Sequence, residues 1–508
     1  MYLEYYAFSN TKMKKMYMDK IRKKGNTMRK ATVVLFVVLV LALGGTCFAA
    51  VTLYHQRDDV TLTERTAWGK KDVLQDLSMQ INLVYQDRLR WGTKVFMKNT
   101  EEAVTEFESS LAPIYTDIDK NTGLSMDMFD TAVVLDNILQ GKIEGVTRAY
   151  VELAETIGAN EEAEAEIYLK DYIDVYSYAI WLHLPGTDIY RIPGWSNKTA
   201  KQEQEKYAIE KINDFFRIPV LEGESHNISI VKNEQGDIVH SAGGNGESDF
   251  FYMWVFNALT EDALYFTFNT HSRDGVVVDT SMIPGGYGIY RLPYDGSLEG
   301  SVENADRISA KVDELEMVYP LDSQISVKHL QLNGNKDKLL LHAEENGKYV
   351  VTVIDLSTME MLQKIEVMDW DKDYGYQIYE KDNFVVVMVH KPQEEGKIEA
   401  VVFNENEERI LENSFISEVQ NKDIPSFDTS NLYLAFDGNR LAMAGFLEEE
   451  EQDYRETCNV FVAVCDAEGL QYYGEYQNSL ETGYDPERYY YHCQGDGLEP
   501  IVLEWESD

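Results

Sequence analysis

Hydrophobic positions change their spacing along the chain. Between residues 54 and 217 they recur every three or four residues. In Asp72-Val73-Leu74-Gln75-Asp76-Leu77-Ser78-Met79-Gln80-Ile81-Asn82-Leu83-Val84, and again from Phe129 to Ile157 through Val133, Val134, Leu135, Ile138, Leu139, Ile143, Val146, Tyr150 and Leu153, this spacing predicts amphipathic helices. A third helix is predicted over Glu161 to Leu184, stopped by Pro185-Gly186, and a polar, Lys/Glu-laced one over Ala200 to Phe216. From about residue 218 the period becomes two. Runs of β-formers recur at Asn227–Val231, Ala263–Phe268, Lys338–His342, Tyr349–Ile354, Phe384–Val389, Glu399–Phe403 and Val460–Val464, separated by turn signals such as Asn333-Gly334-Asn335, Glu345-Asn346-Gly347 and Asp437-Gly438-Asn439.

The strands group. Segments Val327 to Val367, Gln377 to Ile416 and Leu432 to Tyr476 each hold about four short β stretches and begin about 50 residues apart. Four strands per unit at near-constant spacing predicts propeller blades, and residues 218–508 have room for six or seven of them; a pair of β-sandwiches is the alternative.

One stretch stands apart from both patterns. Ala31 to Leu53 carries no charge in 23 residues, about 34 Å as a helix, against a hydrocarbon core of about 30 Å. Residues 1–30 carry a net charge of +7 and the remainder −49, so the positive block is expected in the cytoplasm and the acidic bulk outside it. Cleavage after Ala49 as a signal peptide is the competing reading, and lipidation of Cys47 a weaker one, because Thr46 and the position of Leu43 fit a lipoprotein box poorly. Met28, just before Arg29-Lys30, is an alternative start. The expected organisation is therefore a basic cytoplasmic tail (1–30), a single transmembrane helix (31–53), a helical membrane-proximal region (54–217) and a β-propeller-like domain (218–508), an α+β ectodomain on one anchor.

Composition narrows the partners. The chain has 508 residues and a formal charge of −42, which repels nucleic acid and anionic lipid surfaces from its bulk. With 26% charged and 44% hydrophobic residues it is an ordinary globular composition. Four cysteines are too few for a disulfide scaffold. Cys458 and Cys465 are seven apart on one predicted strand, about 23 Å, so any disulfide would use Cys493, with Cys465 as the preferred partner; three buried thiols is the alternative.

Candidate chemistry is sparse. Asp369, Asp371, Asp373 and Glu380 stand at relative positions 1, 3, 5 and 12 of a calcium-loop pattern, and Asp117, Asp119 and Asn121 repeat its start; calcium is the candidate cofactor. In both loops the glycine falls at position 7, one place late for the turn, and a solvated acidic loop is the competing reading. Gly223-Glu224-Ser225-His226 and Gly246-Glu247-Ser248-Asp249 lack the second glycine of a nucleophile elbow. Gly285-Gly286-Tyr287-Gly288 precedes a strand, unlike a dinucleotide fingerprint. The 33 tyrosines suit strand packing, and exposed ones suit stacking on sugars or anchoring a partner.

Leu264-Tyr265-Phe266-Thr267-Phe268 followed by Ile289-Tyr290-Arg291-Leu292-Pro293-Tyr294-Asp295-Gly296 resembles a repeat of the low-density-lipoprotein-receptor type of propeller, in which a Tyr-Trp-Thr-Asp strand precedes a Leu-Asp-Gly turn. Phe266 and Phe268 stand where that family has Trp and Asp, and the likeness extends over about two blades. It implies propeller architecture and a binding role, with no catalytic residue. The layout as a whole is similar to that of membrane-anchored bacterial surface proteins. The expected function is non-catalytic binding or scaffolding of a protein, peptide or glycan at the cell envelope. A carbohydrate hydrolase or lyase on the propeller is the alternative, and an envelope sensor working through a membrane partner is a third.

Overall fold

The computed structural model describes residues 34–49, 51, 61–85, 89–109, 123–127, 131–183, 199–246, 250–295, 309–381, 384–391, 397–405, 411–420, 432–447, 459–478 and 500–506. The fold is β-rich and propeller-like. Three successive chain segments each build an antiparallel sheet in sequence order: Ser326–Leu332, Lys338–Glu345, Lys348–Asp355 and Met361–Asp369; then Gly375–Lys381, Phe384–Lys391, Lys397–Glu405 and Leu411–Gln420; then Tyr433–Phe436, Leu441–Phe446, Val460–Asp466 and Gly469–Asn478. A fourth sheet contains Val255–Leu259, Ala263–Phe268 and Gly288–Asp295, with Glu316–Pro320 and Ser309–Ala310 both on the last of these.

Why the central strands read as unbroken apolar runs follows from their two-sided burial. In Phe384–Lys391 the side chains of Phe384, Val386 and Met388 pack toward the 433–478 sheet, while Val385, Val387 and Val389 pack toward the 326–369 sheet. Likewise Val460, Val462 and Val464 enter one core and Phe461, Ala463 and Cys465 the next. Successive strand residues point to opposite faces, so a sheet stacked between two others must be apolar at every position. The Asn346-Gly347 turn joins two such strands with both residues at positive φ, 52° and 73°, the geometry a two-residue hairpin requires.

The chain ends interlock. Ile501–Trp505 pairs with Leu77–Tyr85, which continues into Leu89–Phe96 and Asn99–Ser109, so the last strand is the first of the earliest sheet. Leu62–Gly69 in turn adds a fifth strand to the 433–478 sheet by pairing with Gly469–Asn478. Gly69 is required at that seam: its φ is +92°, and a Cβ there would lie 2.1 Å from the Gln471 carbonyl oxygen. The first strands of neighbouring sheets lie side by side, Val255–Leu259 beside Ser326–Leu332, Gly375–Lys381 beside Tyr433–Phe436, and Tyr433–Phe436 beside Ile501–Trp505. In a propeller-like arrangement these first strands are the ones nearest the axis.

Between 123 and 250 the pattern is different. Gly123–Asp127 pairs with Ala179–His183, and a three-stranded sheet of Glu162–Tyr168, Ser225–Lys232 and Ile238–Asn245 carries two helices, Thr131–Leu139 and Val146–Ala154, on one face. Val134, Ala149 and Tyr150 of the helices meet Ile167, Ile228 and Ile230 in a common core. After the helix Thr199–Phe215, Phe216 lies edge-on to Phe266, Phe268 and Tyr290 and joins this α/β unit to the 255–320 sheet.

Two expected helices are strands instead. Over residues 72–84, Lys71–Leu74 forms one 3-10 turn and Leu77–Tyr85 a strand, in which the apolar side chains Leu77, Met79 and Ile81 enter one core at every second residue. Over 161–184, Glu162-Ala163-Glu164-Ala165-Glu166-Ile167-Tyr168 alternates exposed acids with partly buried alanines, a period of two that outweighs the helix propensity of Ala and Glu. The β architecture therefore starts at residue 62, not 218. Residues 34–49 are helical, with Val34, Leu35, Phe36, Val37, Val38, Leu39, Val40, Leu41, Leu43 and Phe48 exposed. Among the described residues no helix is long and apolar enough to cross a membrane. Val51 is also helical and exposed, and residues 31–33, 50, 52 and 53 lie outside the described residues.

Candidate ligand-binding site at the ring axis

The first strands of three sheets converge on an open cavity of about 410 Å³, lined by Asn257, Ala258 and Leu259 of one strand, Gln331 and Leu332 of the next, the Asn333–Lys336 turn, and Glu380 of the third. Its lining holds amides, three aliphatic side chains, one cation and one carboxylate.

Asn333 builds the turn. Its buried Oδ1 accepts from the backbone N–H of Asp337 at 3.0 Å and of Lys338 at 2.8 Å, while its Nδ2 donates to Asp337 Oδ1 at 2.9 Å. This is the local side-chain closure that Asn offers a turn. It holds Lys336 at a φ of +58°, a conformation that costs a non-glycine residue energy, and places it at the cavity wall.

The strand that carries Gln331 also carries one of a pair of neutral histidines, the cross-strand neighbours His329 and His342. Burial lowers the pKa of His329, against a smaller opposing influence of the Gln331 side chain. The Gln331 Nε2 is buried with no partner among the described residues. His342, 6.2 Å away ring to ring, has Nδ1 3.1 Å from the Tyr349 hydroxyl, and burial together with His329 pushes its pKa down to about 3. Both rings therefore act as hydrogen-bonding groups, not proton donors, near neutrality.

Of the cation candidates among the described residues, Glu380 alone lines the cavity. Asp369 is paired with Lys348, which lowers its pKa through the hydrogen bond and the charge, and Asp371 Oδ1 accepts from the Asp373 N–H at 3.0 Å inside its own turn. Among the described residues, no three His, Cys, Asp or Glu side chains are arranged to hold a metal ion. Asp117, Asp119 and Asn121 lie outside those residues. Cys465 is a fully buried thiol whose pKa burial raises to about 12; its candidate partner Cys493 lies outside the described residues, as does Cys458.

The Gly223–His226 string has an identifiable structural role. Glu224 is buried, accepts the Tyr176 hydroxyl, and has Oε1 3.1 Å from His226 Nε2; the Leu221 N–H donates to the Tyr176 oxygen at 3.1 Å. Burial and the Glu224 charge raise the pKa of Tyr176 and Tyr178. Ser225 donates to Glu166 at 2.6 Å, on the other side of the strand from this cluster. The arrangement seals a carboxylate into the core and does not poise a serine against a base. Above Glu166, a second open trough of about 470 Å³ runs over Glu164, Asn227, Ser229 and Ala242 on the outer face of the 162–245 sheet.

Lys336, Gln331 and Asn257 were not legible as site residues. The signal for the first was the Asn333-Gly334-Asn335 turn; for the other two it was their place on a strand, which only the ring turns toward the axis.

No family model matches the chain, and no curated protein matches it. Solved structures similar to it include a putative 6-phosphogluconolactonase from Bacteroides fragilis NCTC 9343, at 8% identity and a TM-score of 0.29 over 85% of this chain and 98% of that one. The β-propeller domain of the Trilobed protease from Pyrococcus furiosus is 12% identical over 50% of this chain and 65% of that one, with a TM-score of 0.21. The β-propeller domain of Myceliophteria thermophila Cps50 (Swd1) is 10% identical over 50% of this chain and 92% of that one, with a TM-score of 0.20.

Proposed function

We propose that this is a single-pass membrane protein whose ectodomain, a propeller of six or seven blades, binds a protein, peptide or glycan at the cell envelope without transforming it. The axial cavity carries the reading. A floor of Leu259 and Leu332 ringed by amides, with Lys336 and Glu380 of opposite charge on its walls, suits a small polar group such as a peptide terminus or a sugar residue. The groups with the strongest shifts, His342 and the buried tyrosines, are sealed between sheets where a substrate does not reach. That separation favours recognition over acid–base catalysis. Of the likeness to the low-density-lipoprotein-receptor type only the coarser part is supported: Ala263–Phe268 and Gly288–Asp295 are adjacent antiparallel strands of a propeller-like sheet, and Phe266 and Phe268, which stand where that family has Trp and Asp, are buried in the core.

The test is a thermal-shift survey of the full chain in detergent with free amino acids, dipeptides and monosaccharides. One class is expected to raise the melting temperature, and Lys336→Ala and Glu380→Gln to abolish the rise, since ligand that binds only the folded state stabilises it. No shift with any probe, or chemical conversion of one, would overturn the reading.

A further inference from the structure

At the other end of the strand Val255–Leu259 from the Leu259 cavity wall, the chain enters through an extended segment with alternating aromatic residues. Phe251 and Met253 are 0% and 1% exposed, whereas Tyr252 and Trp254 are 39% and 61% exposed. The two outward rings stand 5.9 Å apart with planes at 74°. Asn269 holds the backbone that carries them: its Oδ1 accepts the Trp254 backbone N–H at 2.6 Å, and its Nδ2 donates to the backbone carbonyls of Tyr252 and His271, both at 3.1 Å. At the near end of the strip Arg273 donates its N–H to the Phe250 carbonyl at 3.0 Å and lays its guanidinium 5.6 Å from the centre of the Phe250 ring. Asp274, next in the turn, is already engaged within the protein.

Large exposed rings on a clamped backbone lose little entropy when covered, so this strip is pre-organised to bind. It is one residue wide, with its alternate side chains turned inward and an amide and a guanidinium beside it. A standard protein interface needs about 800 Å² per partner around an apolar centre. A sugar ring needs only one aromatic face and polar groups at its edge. We propose that residues 250–254 with Arg273 bind a saccharide chain carrying carboxylates, a sugar ring stacked on Trp254 with its edge against Tyr252 and a uronate carboxylate on the Arg273 guanidinium. The Arg273 guanidinium selects the acidic saccharide at contact range by taking a uronate carboxylate on its paired N–H groups; Asp274 beside it and the overall −42 oppose the preference, the latter screened beyond about 8 Å at physiological ionic strength.

The experiment is calorimetric titration of the full chain in detergent with a hexamer of 1,4-linked galacturonate and with the uncharged galactose hexamer. The acidic hexamer is expected to bind more tightly. Trp254→Ala should weaken both by about tenfold or more, as loss of a central aromatic anchor does, and Arg273→Gln should remove only the preference for the acid. Both side chains are exposed, and matched melting temperatures of the variants establish that they fold. Absence of heat with either hexamer, binding unchanged by Trp254→Ala, or self-association that Trp254→Ala abolishes would each overturn the proposal. None of these outcomes bears on the axial cavity, whose probes and variants are different.

Discussion

His342 occupies the middle of Lys338–Glu345, wholly buried, with its Nδ1 on the Tyr349 hydroxyl and its pKa pushed down to about 3. The pKa in the unfolded chain is about 6.5, so the unfolded state takes the proton first. Stability from this residue is therefore complete above pH 6.5 and drains away as the pH falls toward 3. Between pH 7 and pH 5 the loss is about 2 kcal/mol. Urea unfolding at those two values should show it, on top of the losses from other groups. His342→Gln, which cannot be protonated, should reduce the pH-dependent loss by that amount. An unchanged slope would mean the ring is charged in the folded state. Nothing local to Leu341-His342-Ala343 announces this behaviour, because it arises from covering both faces of the strand.

At the scale of elements, the legible strands were those buried on both sides. Lys338–Glu345, Phe384–Lys391 and Val460–Asp466 are continuous apolar runs because each sits between two other sheets. The illegible ones were half-exposed: Leu77–Tyr85 and Glu162–Tyr168 alternate, but Leu, Met, Ala and Glu are also good helix formers, so two periods competed over a short window. The axial site was less legible still, since it gathers residues from strands more than 100 positions apart. The strand with the largest consequence is Ile501–Trp505. Ile501 and Leu503 are fully buried, Trp505 donates Nε1–H to the Ala435 carbonyl at 3.1 Å, and Arg440 lies 4.0 Å from the Trp505 ring centre. A chain ending at residue 499 loses about 4 kcal/mol from those two aliphatic side chains alone and leaves Leu77–Tyr85 as an open edge. Its melting temperature should fall by about 4 °C, with aggregation on a sizing column, and a peptide of residues 500–506 added in trans should restore part of both. A melting curve unaltered by the truncation would show that the interlock does not hold the ring.

The whole molecule is divided by charge, +7 in the first 30 residues and −49 in the rest, with the uncharged 31–53 stretch between them. The proposed anchor draws support from the helical residues 34–49, whose apolar side chains are exposed around the helix and whose one hydroxyl, Thr46 Oγ1, donates to the Ala42 carbonyl at 2.8 Å within the helix. A helix that bonds its one hydroxyl internally and shows almost only apolar side chains outward, with the Cys47 thiol the exception, is costly in water and at home in lipid. The same charge division orients it, because basic residues flanking a span stay in the cytoplasm. An alkaline carbonate wash should therefore leave the full chain in the membrane pellet. Protease added outside intact cells should remove the acidic ring while sparing a tag on residue 1. Replacing Val38 and Leu41 with Lys should release the chain from the pellet, since two charges at the centre of a span cost about 5 kcal/mol or more on insertion. Recovery of the unaltered chain in the soluble fraction, or protection of the ring from external protease, would defeat the envelope assignment while leaving both candidate binding sites open to test.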